Sequence, residues 1–390
     1  MRSENPLNPG VFRGKRIVEG AGAERIAHRG RARGKSQGRV PSVSARVTAA
    51  RPESGVASRG EDRPGTADER AEQLAERVLP ARAPKRRMLV IVNPYATTVS
   101  DRLKNLVVYA LQSRYAVEAV ETEARQHATQ ICREAASEGY DVVVAFGGDG
   151  TVNEVANGLS GSATPLTCLP GGSTNVYCRL LGIPNDVVDA TEHLLGVADD
   201  FRPRRVDTGV VNGRHFVFAS GIGVDADVVD RVDSHPRLKT RLREYYFTWA
   251  ALASFNRRYL LRPPAFAVDV DGTRIDGVSL VVQNSDPFTY FGRHPIRLGE
   301  SAALDNGTLS LVVLRRASLL GLPTLVARIL SPSAVALAGH RAVDAFPQVE
   351  RFRAVATAGQ PLPLQVDGDF VGEVDEAEYR IAPGSLVVVS

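Results

Sequence analysis

Residues 142–158 read VVVAFGGDGTVNEVANG, so a run of apolar residues leads directly into glycines, a carboxylate and a hydroxyl. A buried strand that ends in glycines before a helix is typical of an anion site. Glycine allows close backbone approach, and a helix N-terminus presents unpaired N–H groups. A phosphate is therefore expected on Gly147, Gly148 and Gly150, and Thr151 is expected to donate a hydrogen bond from its hydroxyl.

The carboxylate of Asp149 is the unusual member of this loop. A carboxylate beside phosphates repels them unless a cation or a reacting hydroxyl lies between. Asp149 therefore points either to Mg²⁺ with a nucleotide or to proton removal from an attacking hydroxyl. A glycine-rich turn alone is not specific, so further features must support this interpretation.

Two further segments have the same character. LPGGSTN, at 169–175, is a second strand–glycine–hydroxyl–helix junction, and VNPYATT, at 92–98, is a strand end with small polar residues. Ligands of a parallel sheet bind beyond the carboxyl ends of its strands, so the three ends predict one extended nucleotide cleft. The sequence contains neither the Walker A pattern nor the dinucleotide G-x-G-x-x-G pattern.

The elements that must position these loops alternate between strand and helix from residue 84 to 203. Apolar runs at 88–92, 115–122, 141–146 and 165–170 predict strands, and apolar residues at helical spacing predict helices at 100–113, 126–138 and 186–196. Continuous apolar strands between helices favour a parallel sheet covered on both faces. We therefore predict an α/β fold whose residues 84–203 form a doubly wound, parallel-sheet nucleotide-binding domain.

The pattern changes after residue 203. Residues 204–390 carry alternating or apolar runs between Gly, Asn and Asp turns, and VNGR (211–214) and VDGT (270–273) are hairpin signals. We predict a C-terminal antiparallel β-rich domain for the substrate, with helices near 237–256 and 318–338.

Charge separates an N-terminal tail from the rest of the chain. Residues 1–87 hold 20 Lys+Arg and 10 Asp+Glu, whereas the remainder holds 28 and 34, so the ordered part is mildly acidic. A basic groove for nucleic acid is therefore not expected. Residues 1–83 are predicted to be a disordered basic tail with a short helix at 67–79. Three scattered cysteines and the lack of an apolar signal core favour a reducing, cytoplasmic location.

Three motifs in this order and spacing resemble the diacylglycerol kinase catalytic-domain family of lipid kinases, which is related to the sphingosine kinases: VNPYATT, GGDGTVNEV and LPGGSTNVYCR. The resemblance continues through RVDTGVVNGRHFVFASG, LDNGTLSLVVL and LQVDGDFVG, and covers roughly residues 88 to 390. It implies an α/β nucleotide domain and a β-rich domain, with ATP and lipid meeting in the cleft between them.

The resemblance also implies roles for particular residues. It places a first set of residues near the nucleotide: Asn93, Pro94, Thr97, Thr122, Gly147, Gly148, Asp149, Gly150, Thr151, Asn153 and Ser173. Ser173 stands where the family usually has threonine, and the hydroxyl remains. Asp225 also matches the family, and a helix N-cap is its alternative role.

The sequence departs from the family at two acidic motifs. The family's proposed general base is the Glu of Asp-Gly-Glu, and Asp369 occupies its place in Asp367-Gly368-Asp369, one methylene shorter. A metal-linked Asp-Asp-Gly is replaced by Asp305-Asn306-Gly307, so Asn306 keeps an oxygen ligand but loses a charge, and Asp305 is the other candidate ligand for a structural Mg²⁺. Without the resemblance to the family, both motifs would be interpreted as hairpin turns.

The expected activity is phosphoryl transfer from ATP, with Mg²⁺, to a hydroxyl of a membrane lipid such as diacylglycerol. Asp369 is the expected base and Asp149 its rival. A peripheral contact with the membrane is expected, through residues 317–339 or 245–255, with a buried core helix as the alternative; a homodimer is left open. The competing functions are an NAD kinase-like enzyme with a soluble substrate and a non-catalytic lipid-binding regulatory protein.

Overall fold

The structure of the protein, a computed structural model, describes residues 84–95, 100–223, 265–316, 318, 320–331, 333, 335–357 and 359–390. Several expectations lie outside these residues: the tail at 1–83 with its helix at 67–79, Thr97, Asp225, the helix near 237–256 and the apolar segment 245–255.

The first half of the described chain contains a parallel sheet with helices between its strands. Four strands lie side by side in the order β2-β1-β3-β4, all parallel, with these bounds: β1 Arg87–Val92, β2 Ala116–Glu121, β3 Val142–Gly147 and β4 Leu166–Pro170. Five helices connect or follow them: α1 Asp101–Leu111, α2 His127–Ala135, α3 Asp149–Leu159, α4 Val176–Leu180 and α5 Val187–Val197. The predicted α/β fold of this half is confirmed.

Helix α1 shows how local sequence starts an element. The Ser100 side chain accepts a hydrogen bond from the Leu103 amide at 3.3 Å and so satisfies one of the unpaired donors of the first turn. The buried face is formed by Val107, Val108 and Leu111 with Lys104, whereas Leu106 is exposed. The buried Lys104 ammonium donates to the Pro94 carbonyl at 2.9 Å, and its charge is paired with Asp101 Oδ1 at 3.4 Å.

The second half is dominated by antiparallel strands. Its strands have these bounds: β5 Arg204–Val211, β6 Arg214–Phe216, β7 Ala219–Gly223, β8 Phe266–Val270, β9 Thr273–Gly277, β10 Ser279–Gln283, β11 Thr289–Phe291, β12 His294–Ile296, β13 Leu309–Leu314, β14 Val343–Val349, β15 Arg351–Ala356, β16 Leu362–Val366, β17 Asp369–Val374 and β18 Glu376–Val388. Six of them form an antiparallel sheet in the order β14-β13-β10-β7-β16-β17. The predicted β-rich C-terminal half is confirmed.

Two-residue turns join several hairpins. Asn212 and Gly213, between β5 and β6, have φ of 47° and 82°, and Asp271 and Gly272, between β8 and β9, have 49° and 78°. Positive φ at both central residues is the requirement of tight hairpin turns, which Asn-Gly and Asp-Gly meet at little cost. Both predicted hairpins are confirmed.

The C-terminal strand β18 joins the two halves. It pairs in parallel with β4 and antiparallel with β5 and β15, so the four parallel strands continue into a ten-stranded mixed sheet. The pattern of the sequence did not reveal this return, because the pairing partners lie far apart along the chain. The domain boundary between 203 and 204 stays a prediction.

The predicted helix over 318–338 is present as two shorter helices, α6 (Leu322–Ile329) and α7 (Val335–Ala338). A proline at 332 lacks the N–H that a continuous helix needs, which accounts for the interruption. None of the helices in the described ranges combines the length and apolar composition needed to cross a membrane.

Candidate functional site

The carboxyl ends of the four parallel strands lie in one row. Val92 of β1 pairs with Phe146 of β3, and the Asn93 amide then donates to the Phe146 carbonyl at 3.0 Å. On the far side the Thr122 amide donates to the Val92 carbonyl at 2.9 Å. Gly147 pairs with Pro170 of β4. The three predicted strand ends therefore meet at one edge.

The two glycine loops touch each other through their backbones. A Cβ built on Gly172 would lie 2.9 Å from the Gly148 Cα, closer than side-chain atoms ordinarily approach. Gly147 is equally confined, because a Cβ there would lie 2.4 Å from the Thr151 hydroxyl oxygen. Asn93 Nδ2 donates to that hydroxyl at 3.1 Å and fixes it beside the loop. Glycine is required here for close approach rather than for an unusual φ.

The carboxylate of Asp149 faces the second loop. Its two oxygens accept the backbone amides of Val176 and Tyr177, both at 3.1 Å, at the start of α4. Burial raises the pKa of the Asp149 carboxyl to about 6, while these amides lower it and the nearby charge of Asp369 raises it. Asp149 therefore ties the first glycine loop to the helix that follows the second.

Asn153 and Asp367 form a buried contact between the two halves of the described chain. Asn153 Nδ2 donates to Asp367 Oδ2 at 2.7 Å, and Arg214 donates to Asn153 Oδ1 at 2.8 Å. Three successive backbone amides also donate to the Asp367 carboxylate, those of Val217, Phe218 and Ala219 at 2.8–3.1 Å. Burial raises the pKa of Asp367 to about 6, against the lowering effect of these donors. Asn153 is fully buried, so the structure places it in a contact within the chain rather than in the cavity.

This contact sets the position of Asp369. Asp367 and Gly368 have φ of 49° and 81° and form the tight turn between β16 and β17, so the expected turn is present and Asp369 is the first residue after it. The Asp369 carboxylate lies directly over Gly150, because a Cβ on that glycine would meet Asp369 Oδ2 at 2.5 Å. A carboxylate from the C-terminal half thus lies at the first turn of α3.

These groups surround a cavity of about 710 Å³. Eight of the predicted site residues line it: Asn93, Thr122, Gly148, Asp149, Gly150, Thr151, Ser173 and Asp369. Three others do not line it: Pro94, whose carbonyl is held by Lys104, Gly147, which packs on Thr151, and the buried Asn153.

Sequence reasoning missed several lining residues, above all the two arginines that line this cavity in the described chain, Arg125 and Arg214. Tyr95, Glu154 and Phe288 also line it. Arg214 belongs to the VNGR sequence that predicts a hairpin, and this local pattern gives no indication of its contact with Asn153. A basic residue directly after a hairpin turn at a predicted cleft was the available signal.

The predicted metal ligands lie elsewhere. Asp305 and Asn306 are exposed, and the Asn306 amide is engaged in its own turn, donating to the Ser301 carbonyl at 2.5 Å and accepting from the Thr308 amide at 3.1 Å. Buried Asp207 holds this turn through the Gly307 amide at 2.7 Å. Within the part of the chain that the structure describes, no group of three or more His, Cys, Asp and Glu side chains could hold a metal ion. A Mg²⁺ at Asp305 and Asn306 stays a prediction.

Comparison with known proteins agrees with this arrangement. Residues 87–209 match the diacylglycerol kinase catalytic domain, and residues 219–390 match the YegS C-terminal NAD kinase beta sandwich-like domain. A diacylglycerol kinase of Bacillus subtilis (strain 168) is 28% identical over 298 residues, which cover 74% of this chain and 91% of the relative. A diacylglycerol kinase of Staphylococcus aureus (strain MRSA252) is 28% identical over 303 residues, covering 74% and 88%.

Solved structures show the same fold. The crystal structure of a diacylglycerol kinase from Bacillus anthracis str. Sterne matches with a TM-score of 0.60 at 23% identity, covering 78% of this chain and 96% of that one. The fold and the matched domains define the architecture of a kinase family, with an α/β half and a β-sandwich-like half. The chain belongs to the diacylglycerol kinase catalytic-domain family, as its motifs predicted.

Proposed function

We propose that this protein transfers the γ-phosphoryl group of ATP to a hydroxyl of a membrane lipid such as diacylglycerol. The observation that carries the proposal is the position of Asp369, whose carboxylate lies over Gly150 at the start of α3. A proton acceptor from the C-terminal half then lies beside a phosphate-binding loop from the N-terminal half. An acceptor hydroxyl entering from the C-terminal side would meet both groups.

The glycine loops and the two arginines supply the anion site. The first turn of α3, with Gly148 as its N-cap, presents backbone amides to a phosphate. Arg214 and Arg125 add positive charge at the cavity wall. Because phosphoryl transfer depends mainly on positioning and on stabilisation of charge, these groups account for most of the catalysis we assign to the site.

We assign proton removal to Asp369. Its carboxylate accepts the proton of the lipid hydroxyl as that oxygen bonds to the γ-phosphorus and the bond to ADP breaks. Asp149 is the poorer candidate, because both of its oxygens accept amides of α4. Its two amide contacts hold the two loops together.

A magnesium ion fits the acidic side of the cavity. Asp149 and Asp369 both line it and lie close enough for their charges to interact, which favours a cation between them and the phosphates. Mg²⁺ bound with ATP would neutralise charge that develops on the phosphates. Asp149 is the residue we expect to hold it, and Asp369 keeps the role of proton acceptor.

The test is a transfer assay with radiolabelled ATP and a total lipid extract, with the product identified by mass. The expected result is label in one organic-soluble phospholipid whose mass exceeds that of its acceptor by one phosphoryl group. The Asp369→Asn variant is the matched blank. If ATP is bound and Mg²⁺ is present but no label enters the lipid fraction, the proposal is contradicted.

Two other functions make different predictions in the same assay. An NAD kinase-like enzyme would place the label in a water-soluble product. The observation that favours this alternative is the similarity of residues 219–390 to an NAD kinase-like sandwich. A non-catalytic lipid-binding protein would bind lipid and leave the ATP intact.

A further inference from the structure

Helix α6 is apolar yet lies on the surface. Its sequence is LPTLVARI, and none of its residues is fully buried. Four large apolar side chains around it are exposed: Leu320 at 90%, Val326 at 43%, Leu330 at 50% and Val335 at 62%. Apolar side chains exposed next to one another on a helix pair are typical of an interaction surface rather than of an ordinary solvated helix.

The charged residues in the segment of the chain that contains this helix all have one sign. Residues 315–341 contain four arginines and no Asp or Glu, whereas residues 88–390 as a whole carry more acidic than basic residues. Arg315 pairs with Asp344. The exposed Arg316 and Arg341, with Arg328, complete a surface that we call the apolar–basic face, together with Leu320, Val326, Leu330 and Val335.

Two basic groups of this face, those of Arg328 and Arg341, lie near the same histidine ring. Burial first, and then the charges of Arg328 and Arg341, lower the pKa of His340, so both guanidinium groups lie near that ring. Thr324 Oγ1 lies 3.2 Å from His340 Nε2, which places the ring against α6. Positive charge and exposed apolar area therefore occur together.

The opposite side of α6 leads towards the cavity. Leu325 and Ile329 pack on a small core that also contacts Phe288, and Phe288 lines the cavity. His294 Nε2, on the β11–β12 hairpin, lies 3.2 Å from the Leu330 carbonyl oxygen. One packed layer thus connects the apolar–basic face with the cavity wall.

We propose that the apolar–basic face docks on an anionic lipid bilayer, with its apolar side chains at the acyl boundary and its arginines at the headgroups. The proposal rests on the proposed function only in its choice of a bilayer as the source of substrate. A surface with apolar side chains flanked by arginines has the chemistry of an interfacial helix. A protein partner would need acidic groups to match the arginines, and a second copy would bring like charges together.

The test is sedimentation of the full chain with vesicles, without ATP. Vesicles of phosphatidylcholine are compared with vesicles that also contain phosphatidylglycerol. The double variant Val326→Asp/Leu330→Asp is expected to bind the anionic vesicles about tenfold or more weakly, since it replaces two apolar side chains with charges that the headgroups repel. The matched control is Leu106→Asp/Tyr109→Asp, which changes two exposed apolar residues of α1 and is expected to bind like the parent.

A second variant keeps the test independent of folding. Arg316→Gln/Arg341→Gln changes two exposed side chains and is expected to weaken binding to anionic vesicles, with a smaller dependence on salt, and to leave the thermal midpoint unchanged. Equal vesicle binding by the parent and both variants, or no binding by the parent, would overturn the proposal. A lower midpoint, or a changed sedimentation coefficient without vesicles, in both variants would show that the chain or a second copy covers the face.

A kinase assay separates this proposal from the proposed function. With a short-chain diacylglycerol dispersed in water, the double variant is expected to keep the parent turnover, because the cavity is intact. With diacylglycerol in anionic vesicles, its turnover is expected to fall about tenfold. A parent chain that binds vesicles but phosphorylates neither substrate would refute the proposed function and leave the docking face standing.

Discussion

The carboxylate of Asp369 lies over Gly150, so its chemistry can be tested with little change in packing. Asp369→Asn is expected to bind ATP almost as the parent does and to lower turnover about a hundredfold or more, the usual scale of general-base catalysis. Asp369→Glu is expected to keep activity, because it restores the residue that the family carries. Turnover and nucleotide affinity are measured separately.

The control for this prediction is Glu373→Gln, an exposed acidic residue on the same strand. Near-normal turnover in Asp369→Asn, together with an inactive Asp149→Asn that still binds ATP, would transfer the base role to Asp149.

The burial of Asp149 predicts a dependence of stability on pH. Burial raises its carboxyl pKa to about 6, above the ordinary value of about 3.9. The native state therefore binds this proton more tightly than the unfolded chain does. Its contribution to stability is complete below about pH 4 and is lost as the pH rises through about 6, by up to about 3 kcal/mol.

In Asp149→Asn this loss is absent, so the free energy of unfolding is expected to fall less between pH 4.5 and 7 than in the parent. Asp367 titrates in the same direction, so the slope is reduced rather than abolished. Urea unfolding at the two pH values measures it, and identical slopes in both chains would contradict it.

The Asn153–Asp367 hydrogen bond links residues 214 positions apart along the chain. Asp367→Ala is expected to cost about 3 kcal/mol or more, because it leaves several buried donors without an acceptor. A double-mutant cycle with Asn153→Ala is expected to give a coupling of at least about 1 kcal/mol. Additive losses would mean that the two side chains act separately.

At the scale of the element, the contact between the two glycine loops leaves no room for an added methyl group. Gly172→Ala would bring a Cβ to 2.9 Å from the Gly148 Cα, so the loops must separate. The expected result is a loss of ATP affinity of about tenfold or more, measured by calorimetry.

The matched control is Gly196→Ala in helix α5, where an added Cβ meets nothing within 4 Å. There the change is expected to leave ATP affinity as it is and to maintain or slightly raise stability, because alanine favours helix. A similar loss of affinity in both variants would show that the contact between the two glycine loops is not the cause of the loss.

What the sequence predicted at this scale was local. The Asn212-Gly213 and Asp271-Gly272 turns could be predicted because each dipeptide adopts its φ angles from its own chemistry. The meeting of the strand ends could be predicted because parallel strands align. The hydrogen bond between Asn153 and Asp367 could not be predicted, because it depends on a partner from the other half of the chain. The return of β18 could not be predicted for the same reason.

At the scale of the whole molecule, the contacts that anchor the start of the described chain begin at Lys85. Its ammonium donates to the Gln112 carbonyl at 2.6 Å, and the guanidinium groups of Arg86 and Arg87 lie over the rings of Phe201 and Tyr140, each at 4.4 Å. A chain that begins at residue 82 keeps all three residues and is expected to unfold within a few degrees of the full chain.

A chain that begins at residue 88 is the informative comparison. It loses Lys85, Arg86 and Arg87, with the first pair of the β1–β2 ladder, and is expected to have a clearly lower thermal midpoint. A large loss already at residue 82 would show that the preceding segment packs on the rest.

The return of β18 to the parallel strands has a consequence for biosynthesis. β4 gains its outer neighbour from residues near position 388, so the nucleotide half cannot complete its sheet while the ribosome is still translating the second half. Such long-range pairing slows folding and leaves the edge of β4 open until the last strand emerges. The nascent chain is therefore expected to remain a client of chaperones until its release, and a stop codon just before β18 should yield an aggregating product rather than a folded N-terminal half.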